Sequence, residues 1–561
     1  LLTLFGVIAC QTTTTPTTET TQSTLPTSET TVSTMTTLTS SPLLQTVTLL
    51  NETARVNELL EIAFFEPEER IIETQYNPYD YREIKVLMNL TAPSGKQYPL
   101  LAFWYRPYDS LQLVGGSVDE FGYFVGGQEM VRWKEGAFQH YLVRFLPKEV
   151  GLHSYQVVVY LGETIVQTIP GTFSVAAASK ETPGYIQVDS ANNKNFIFDN
   201  QTSYFPMGVN LGWWSTTKAS HDYANWFKKL SENDANYARI WLANWSFSLH
   251  KDSYQRFDTR QNIAIRLDHV FSRAEQYGIY IMLTLINHGQ FSAVTNPEWA
   301  ENVYNKANGG MLDVPIQFFY NAEAKAWYKN ELLYLIGRYG YSENLFAWEL
   351  FNEVDWIDGY SSIAVTQWHS EMAQFLHGND PFKHMVSTSY KYTFGNSAYS
   401  LDSIDFGAVH SYAYYDVNFY QKYVGEIQTL WNRYQKPIFF GEIGIDWQSG
   451  SGTYHTDYTG VTIRQAAWGG LMASAGGGHH WWWDSWFDAY DMWPMLKGAS
   501  SYAKQLDLAN ENHQYLHEDS SIQISHSKAK ILGYRSKGAI YGYVYHHDWN
   551  YWNRTPAAIH S

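Results

Sequence analysis

The chain has 561 residues, too many for one ordinary core, so two or three domains are expected. Its formal net charge of −17 argues against nucleic acid as a partner, because binding phosphates needs a basic face. The composition is 45% hydrophobic and 17% aromatic, which is globular and rich in Trp and Tyr; such rings serve large cores or flat surfaces on which a sugar can stack.

A single cysteine excludes an intramolecular disulfide. It is Cys10, at the end of the apolar "LFGVIAC" and directly after the small Ala9. The stretch resembles the lipobox of a lipoprotein signal peptide, which implies lipid attached at Cys10; a plain secretory signal with an incidental cysteine is the alternative. Residues 1–10 are therefore read as a partial targeting segment and kept out of the fold. They are too short to span a bilayer, and no later run of about 20 apolar residues appears. The expected location is extracellular, secreted or surface-anchored, with membrane contact only through Cys10. Residues 11–45 are dominated by Thr, Ser and Pro and are expected to form a disordered linker or stalk.

From 46 to 180 the text is of short strands broken by Pro and Gly, as in "FQHYLVRFLPKEVGLHSYQVVVYLG". This pattern predicts an immunoglobulin-like β-sandwich without a catalytic cluster. From 185 to 515 strand and helix alternate. Eight apolar runs carry the strands: "FPMGVNLGWW", "YARIWLAN", "IYIMLTLIN", "LFAWELFNE", "HMVSTSY", "DFGAVHSY", "PIFFGEIGID" and "GGHHWWWD". Eight strands over roughly 300 residues predict an α/β fold of the (β/α)8 TIM-barrel type. A doubly wound open sheet is the alternative, weakened by the lack of a Gly-rich nucleotide fingerprint after the first strand. Residues 516–561 return to β-rich text and read as the start of a C-terminal β-domain, expected to be incomplete.

Polar residues collect where these strands end. The second strand contains Arg239, the third ends at Asn287-His288, and the fourth at Asn352-Glu353. The sixth ends at His410-Ser411-Tyr412, the seventh at Gly441-Glu442, and the eighth in "HHWWWD". In a TIM barrel these C-terminal ends surround the active site. One glutamate at a strand end is ordinarily a capping or salt-bridge residue. Two, on strands four and seven with Arg, His and Tyr between, form the facing carboxylate pair that glycoside hydrolysis needs. One must be protonated while the other is ionised. Arg239 and Tyr412 would favour an ionised Glu442, while Glu353, without such a partner in this reading, could keep its proton.

At these residues the chain resembles the glycoside hydrolases of clan A, most closely family 5 and its cellulase-like relatives, on "FNEV" and "GEIG" and the ordered set across residues 200–510. The resemblance implies Glu353 as acid/base and Glu442 as nucleophile. It implies Arg239, His288, Asn352, His410 and Tyr412 as substrate-site residues, and a Trp of "WWWD" as the platform under the cleaved sugar. Strand alternation puts Trp481 and Trp483 on one face, with Trp483 favoured. His479-His480 raises a metal question, but neighbours on a strand point apart, so a structural or sugar-contacting role is preferred and neither metal nor cofactor is expected. The implied activity is that of a retaining endo-β-glycanase on a polysaccharide or oligosaccharide. β-1,4-Glucan is the leading substrate, and mannan, xylan or β-1,3-glucan are alternatives. A non-catalytic glycan-binding lipoprotein is the rival from another class.

Overall fold

In the computed structural model, which describes residues 42–68, 70–412 and 418–552, the strand–helix rhythm becomes a ring of parallel strands. Cys10 and nearly all of the expected linker lie outside the described residues. Leu43 and Leu44 are nevertheless buried, and Leu44 exchanges hydrogen bonds with the Gln167 side chain in both directions. The linker therefore ends before residue 45, because its apolar Leu-Leu pair joins a core.

The first five barrel strands are Gly208–Asn210, Tyr237–Trp241, Tyr280–Thr284, Leu345–Glu349 and Met385–Ser387, paired in that order. The sixth, Gly407–Tyr412, pairs with the seventh, Ile438–Gly444. The eighth is reduced to a bridge between Ile443 and His480, and the Asn210 N–H donates to the His480 carbonyl at 3.0 Å, closing the ring. Between strands five and six, the Ser387 hydroxyl donates to the Phe406 carbonyl. Apart from the half-buried Tyr280, the bodies of strands two, three and four are buried, as parallel strands covered on both faces must be. Gly208 is required where strands one and two meet, since a Cβ there would fall 1.9 Å from the Tyr237 carbonyl oxygen.

The helices Ser220–Glu232, Gln261–Tyr277, Ala322–Tyr339, Ser362–Asn379 and Val461–Ala473 cover the ring. Asn321 and Ser361 start two of them by accepting backbone N–H groups at the N-cap. Strands five and six are joined through a single 3₁₀ turn, Ser397–Ser400. The helical run after strand six is interrupted by a π turn at Tyr423–Ile427. A small three-stranded sheet, Ile186–Val188, Phe196–Phe198 and Ser203–Tyr204, plugs the N-terminal end of the ring. Phe196 sits edge-on to Phe346 and Phe406 there.

Before the barrel, residues 46–176 form one four-stranded and one five-stranded sheet. The core is continuous from these sheets into the barrel. A hairpin, Tyr108–Val118 and Phe124–Trp133, leaves the sheets and lies along the helix Ser220–Glu232. Its Glu129 is buried and ion-paired to Arg266 at 2.6 Å and hydrogen-bonded to His221 at 2.8 Å and to Ser220. The Glu129 N–H also donates to the Thr217 carbonyl, which pins the loop following the first barrel strand. After the barrel, the strands Gln514–Tyr515, Ala529–Arg535 and Ile540–His546 pack on the helix Val461–Ala473. Tyr543 stacks on Trp468 at 4.6 Å, and the Tyr534 hydroxyl donates to the Leu471 carbonyl.

Candidate active site

The centre of the barrel mouth is organised by Arg239, in the second strand. A guanidinium has five N–H donors, and here each has an acceptor. Nε and Nη2 fork onto the two oxygens of Glu349 at 2.6 and 2.8 Å, and Nη2 also reaches Asn352 Oδ1 at 2.8 Å. Nη1 reaches Glu442 Oε1 at 2.7 Å and Asn210 Oδ1 at 3.2 Å. Arg239 is fully buried, so this satisfaction is required: an unpaired buried charge is costly.

Glu442, at the end of strand seven, accepts the Tyr412 hydroxyl on Oε2 at 2.7 Å and thus holds Arg239 on one oxygen and Tyr412 on the other. Glu353 follows strand four in a left-handed backbone conformation, φ +46°, which a non-glycine residue adopts at a cost of order 1–3 kcal/mol. Its N–H is held by the Ser389 hydroxyl at 3.1 Å. Its side chain is only 15% exposed. Burial pushes the Glu353 carboxyl above the usual range, against the opposing pull of the Arg239 charge.

His410 stands between the carboxylates, with Nδ1 2.9 Å from Glu353 Oε1 and 3.6 Å from Glu442 Oε2. Burial depresses this imidazole to about 4, so at neutral pH it is uncharged, and its Nδ1 shares a hydrogen bond with Glu353. The expectation that Glu353 has no partner is thereby corrected: a neutral partner does not supply the charge that would strip the proton from a buried acid. Ligand-type atoms of Glu353, His410 and Glu442 all lie within 4.8 Å of one another. His288 Nδ1 lies 3.1 Å from Asn352 Nδ2 and 3.7 Å from Glu353, while its Nε2 meets Asn296 Oδ1 at 3.1 Å. That pattern fits a ring donating from Nε2 and accepting at Nδ1, which leaves one Asn352 amide hydrogen for a ligand.

The structure thus gathers Arg239, His288, Asn352, Glu353, His410, Tyr412 and Glu442 into one site. The preference for Trp483 as platform is corrected. Trp483 is 1% exposed and packs edge-on against Trp213 at 5.0 Å and Trp481 at 5.3 Å. Strand alternation does not extend to it, because it opens a π-helical turn, Trp483–Asp488. Trp481 is half-buried and packs on Trp241 at 4.8 Å. Gly212 makes room for both rings, since a Cβ there would lie 3.0 Å from Trp483 and 3.2 Å from Trp481. His479 and His480 do point apart, His479 onto Tyr237 and His480 toward Trp486.

Two groups of site residues escaped the sequence reading. One is the aromatic wall, in which Trp213 meets Trp241, Trp245 and Trp481 edge-on and Trp245 is 45% exposed. The other is Glu349 with Asn210 behind Arg239. Glu349 carried a signal: a carboxylate inside an otherwise apolar, buried strand demands a buried cation, and Arg239 was available.

No family model matches the chain. In sequence it is similar to mannan endo-1,4-beta-mannosidase A of Aspergillus aculeatus, 26% identical over 278 residues that cover 43% of this chain and 70% of that protein. It is 28% identical over 242 residues to mannan endo-1,4-beta-mannosidase A of Emericella nidulans, covering 39% of this chain and 59% of that one. In fold it is similar to a "putative glycoside hydrolase" from Bacteroides vulgatus, with a TM-score of 0.55 and 15% identity over 86% of this chain and 84% of the other. The chain is related to glycoside hydrolases in sequence and shares their TIM-barrel type of fold. Its resemblance to the family 5-like enzymes of clan A holds.

Proposed function

We propose that the protein is a retaining endo-β-glycanase whose leading substrate is β-1,4-mannan. The observation that carries the reaction is the pair of carboxylates, with oxygens of Glu353 and Glu442 within 4.8 Å of one another. Retaining glycosidases hold their carboxyl groups about 5–5.5 Å apart, whereas inverting ones keep about 6.5–9.5 Å for an intervening water. The preference for mannan over the cellulose expected from the motifs rests on the names of the relatives.

In this reading the Glu442 carboxylate, aimed by Arg239 and Tyr412, attacks the anomeric carbon. Glu353 gives its proton to the glycosidic oxygen as that bond breaks. Water then enters, Glu353 removes its proton, and the hydroxide equivalent displaces Glu442 with a second inversion. The free Asn352 amide hydrogen suits the sugar 2-hydroxyl, and Trp481 suits the platform beneath the ring. The two-sheet unit is assigned as an immunoglobulin-like accessory module. A polymeric substrate places the protein outside the cell. Among the described residues no helix is long and apolar enough to cross a membrane.

The test is incubation with mannan, glucomannan, carboxymethylcellulose, xylan and β-1,3-glucan, measuring reducing ends and the anomer first formed. Mannan or glucomannan should release reducing ends fastest, with retained configuration. Binding without release would establish the glycan-binding rival instead.

A further inference from the structure

Arg239 faces two buried carboxylates, and they are not equivalent. Glu442 takes one hydrogen bond from the guanidinium, while Glu349 takes the two-pronged face. Glu349 has no exposed surface, so it cannot touch a substrate. Its Oε2 also accepts the Thr284 hydroxyl from strand three, which fixes it from a second strand. We propose that Glu349 is a positioning residue for the glycosidase chemistry: it turns the Arg239 guanidinium toward Glu442 and Asn352 and takes up the charge that would otherwise fall on the nucleophile.

The physical argument has two parts. The first is geometric. A fork-to-fork carboxylate–guanidinium pair is planar and directional. With Nε and one Nη2 hydrogen committed to Glu349, the remaining hydrogens can point only toward Asn352, Asn210 and Glu442, which is where their acceptors stand. The second is electrostatic. Burial alone would raise the Glu349 carboxyl, but the Arg239 charge outweighs it and holds the group below the usual range, so Glu349 stays ionised and neutralises its partner. Glu442 is then oriented without being locked into a two-pronged ion pair, which would lower its basicity as a nucleophile.

This inference rests on the proposed glycanase reading, and its test separates the two. Glu349→Gln keeps the shape and one acceptor oxygen, and it removes the charge together with one prong of the pair, because an NH2 donor replaces the other oxygen. Glu442 then carries the whole Arg239 interaction. On the substrate the wild-type protein cleaves best, kcat should fall roughly 10- to 100-fold while KM moves less than about twofold. The charged and titratable groups facing Glu442 are Arg239, Tyr412, His410, Glu353 and Tyr237, and those facing Glu349 are Arg239, His410, Glu353, Tyr237 and Tyr399; all are unaltered in the variant. A second variant, Thr284→Val, removes one hydrogen bond to Glu349 and should lower kcat several-fold, again with little change in KM. It decides the matter if Glu349→Gln does not fold. Unchanged kcat in folded Glu349→Gln or in Thr284→Val, or a loss that falls on KM instead of kcat, would overturn the inference. A wild-type protein that cleaves no β-glycan would instead overturn the reading beneath it.

Discussion

Two buried charge clusters show what separates a joint from a site. Where the sheets of residues 46–176 meet the barrel helices, Asp268 is gripped by Arg144 on one side and Arg338 on the other, at 2.7 and 2.6 Å. Arg144 also reaches Glu61 at 2.9 Å, so two cations meet two anions. At the barrel mouth anions outnumber cations: one cation, Arg239, faces Glu349 and Glu442. The joint is balanced and spends its donors on protein acceptors, including the Arg338 carbonyl and the Tyr334 hydroxyl. The mouth keeps a carboxylate in excess, on the side open to the cleft. An unmatched negative charge in a buried setting disfavours the resting state but stabilises a developing oxocarbenium-like cation.

The comparison breaks first at Glu442. Glu442→Ala should lower turnover at least about 10⁴-fold, the scale on which loss of a nucleophile is felt. Azide should restore product with inverted configuration by filling the vacated space. The variant should remain folded, because Arg239 keeps its two-pronged partner Glu349. Full activity in Glu442→Ala would remove it from the mechanism.

Asp268→Asn should do the opposite. It leaves two buried guanidinium groups without their shared anion, which costs about 3–5 kcal/mol, read as a lowered denaturation midpoint. The folded fraction should keep a kcat within about twofold of wild type, since the reacting carboxylates are untouched. The pH dependence has a definite sign. Burial alone would raise the Asp268 carboxyl, but the charges of Arg144 and Arg338 outweigh it and hold it low in the folded state. Its contribution is therefore present above the unfolded value of about 3.9 and lost as pH falls through the folded value. Wild type should lose stability there, and the variant should lack that component.

These two clusters also differ in how far the sequence disclosed them. The barrel was legible because its strands are uniformly apolar and alternate with helical periods. The site was legible because a polar residue ending an apolar strand is locally anomalous, as at Asn352-Glu353 and Glu442. Asp268, Arg144 and Arg338 were not legible. Asp268 and Arg338 lie in helices and Arg144 in a strand, and only the packing of sheet on helix removes them from water. Trp483 misled for a related reason: the period-2 rule holds along a strand, and this chain leaves strand geometry at Trp482–Trp483. Glu349 lay within reach, one turn of reasoning from Arg239, but its partner is 110 residues away in sequence.

The sharpest test of roles concerns Glu353. For Glu353→Ala, kcat/KM on mannan should fall by about 10²–10⁴-fold, because the leaving sugar oxygen needs a proton. On a dinitrophenyl glycoside kcat/KM should fall less than about tenfold, since that leaving group departs without one. kcat should stay low there, because the second step has lost its base, and azide should raise it while giving a retained product. In wild type, burial keeps the Glu353 carboxyl above the usual range, and in the proposed mechanism its protonated form is the competent acid. The kcat/KM for mannan should therefore fall as pH rises through that raised value, giving the basic limb, and Glu353→Ala should lack this limb. Asp355 is the neighbouring group to separate from it, as burial pushes its carboxyl to about 6. Asp355→Asn should leave the basic limb in place, displaced only slightly downward, because Asp355's negative charge helps Glu353 keep its proton. Loss of the limb in Asp355→Asn, with its persistence in Glu353→Ala, would reassign the acid to Asp355.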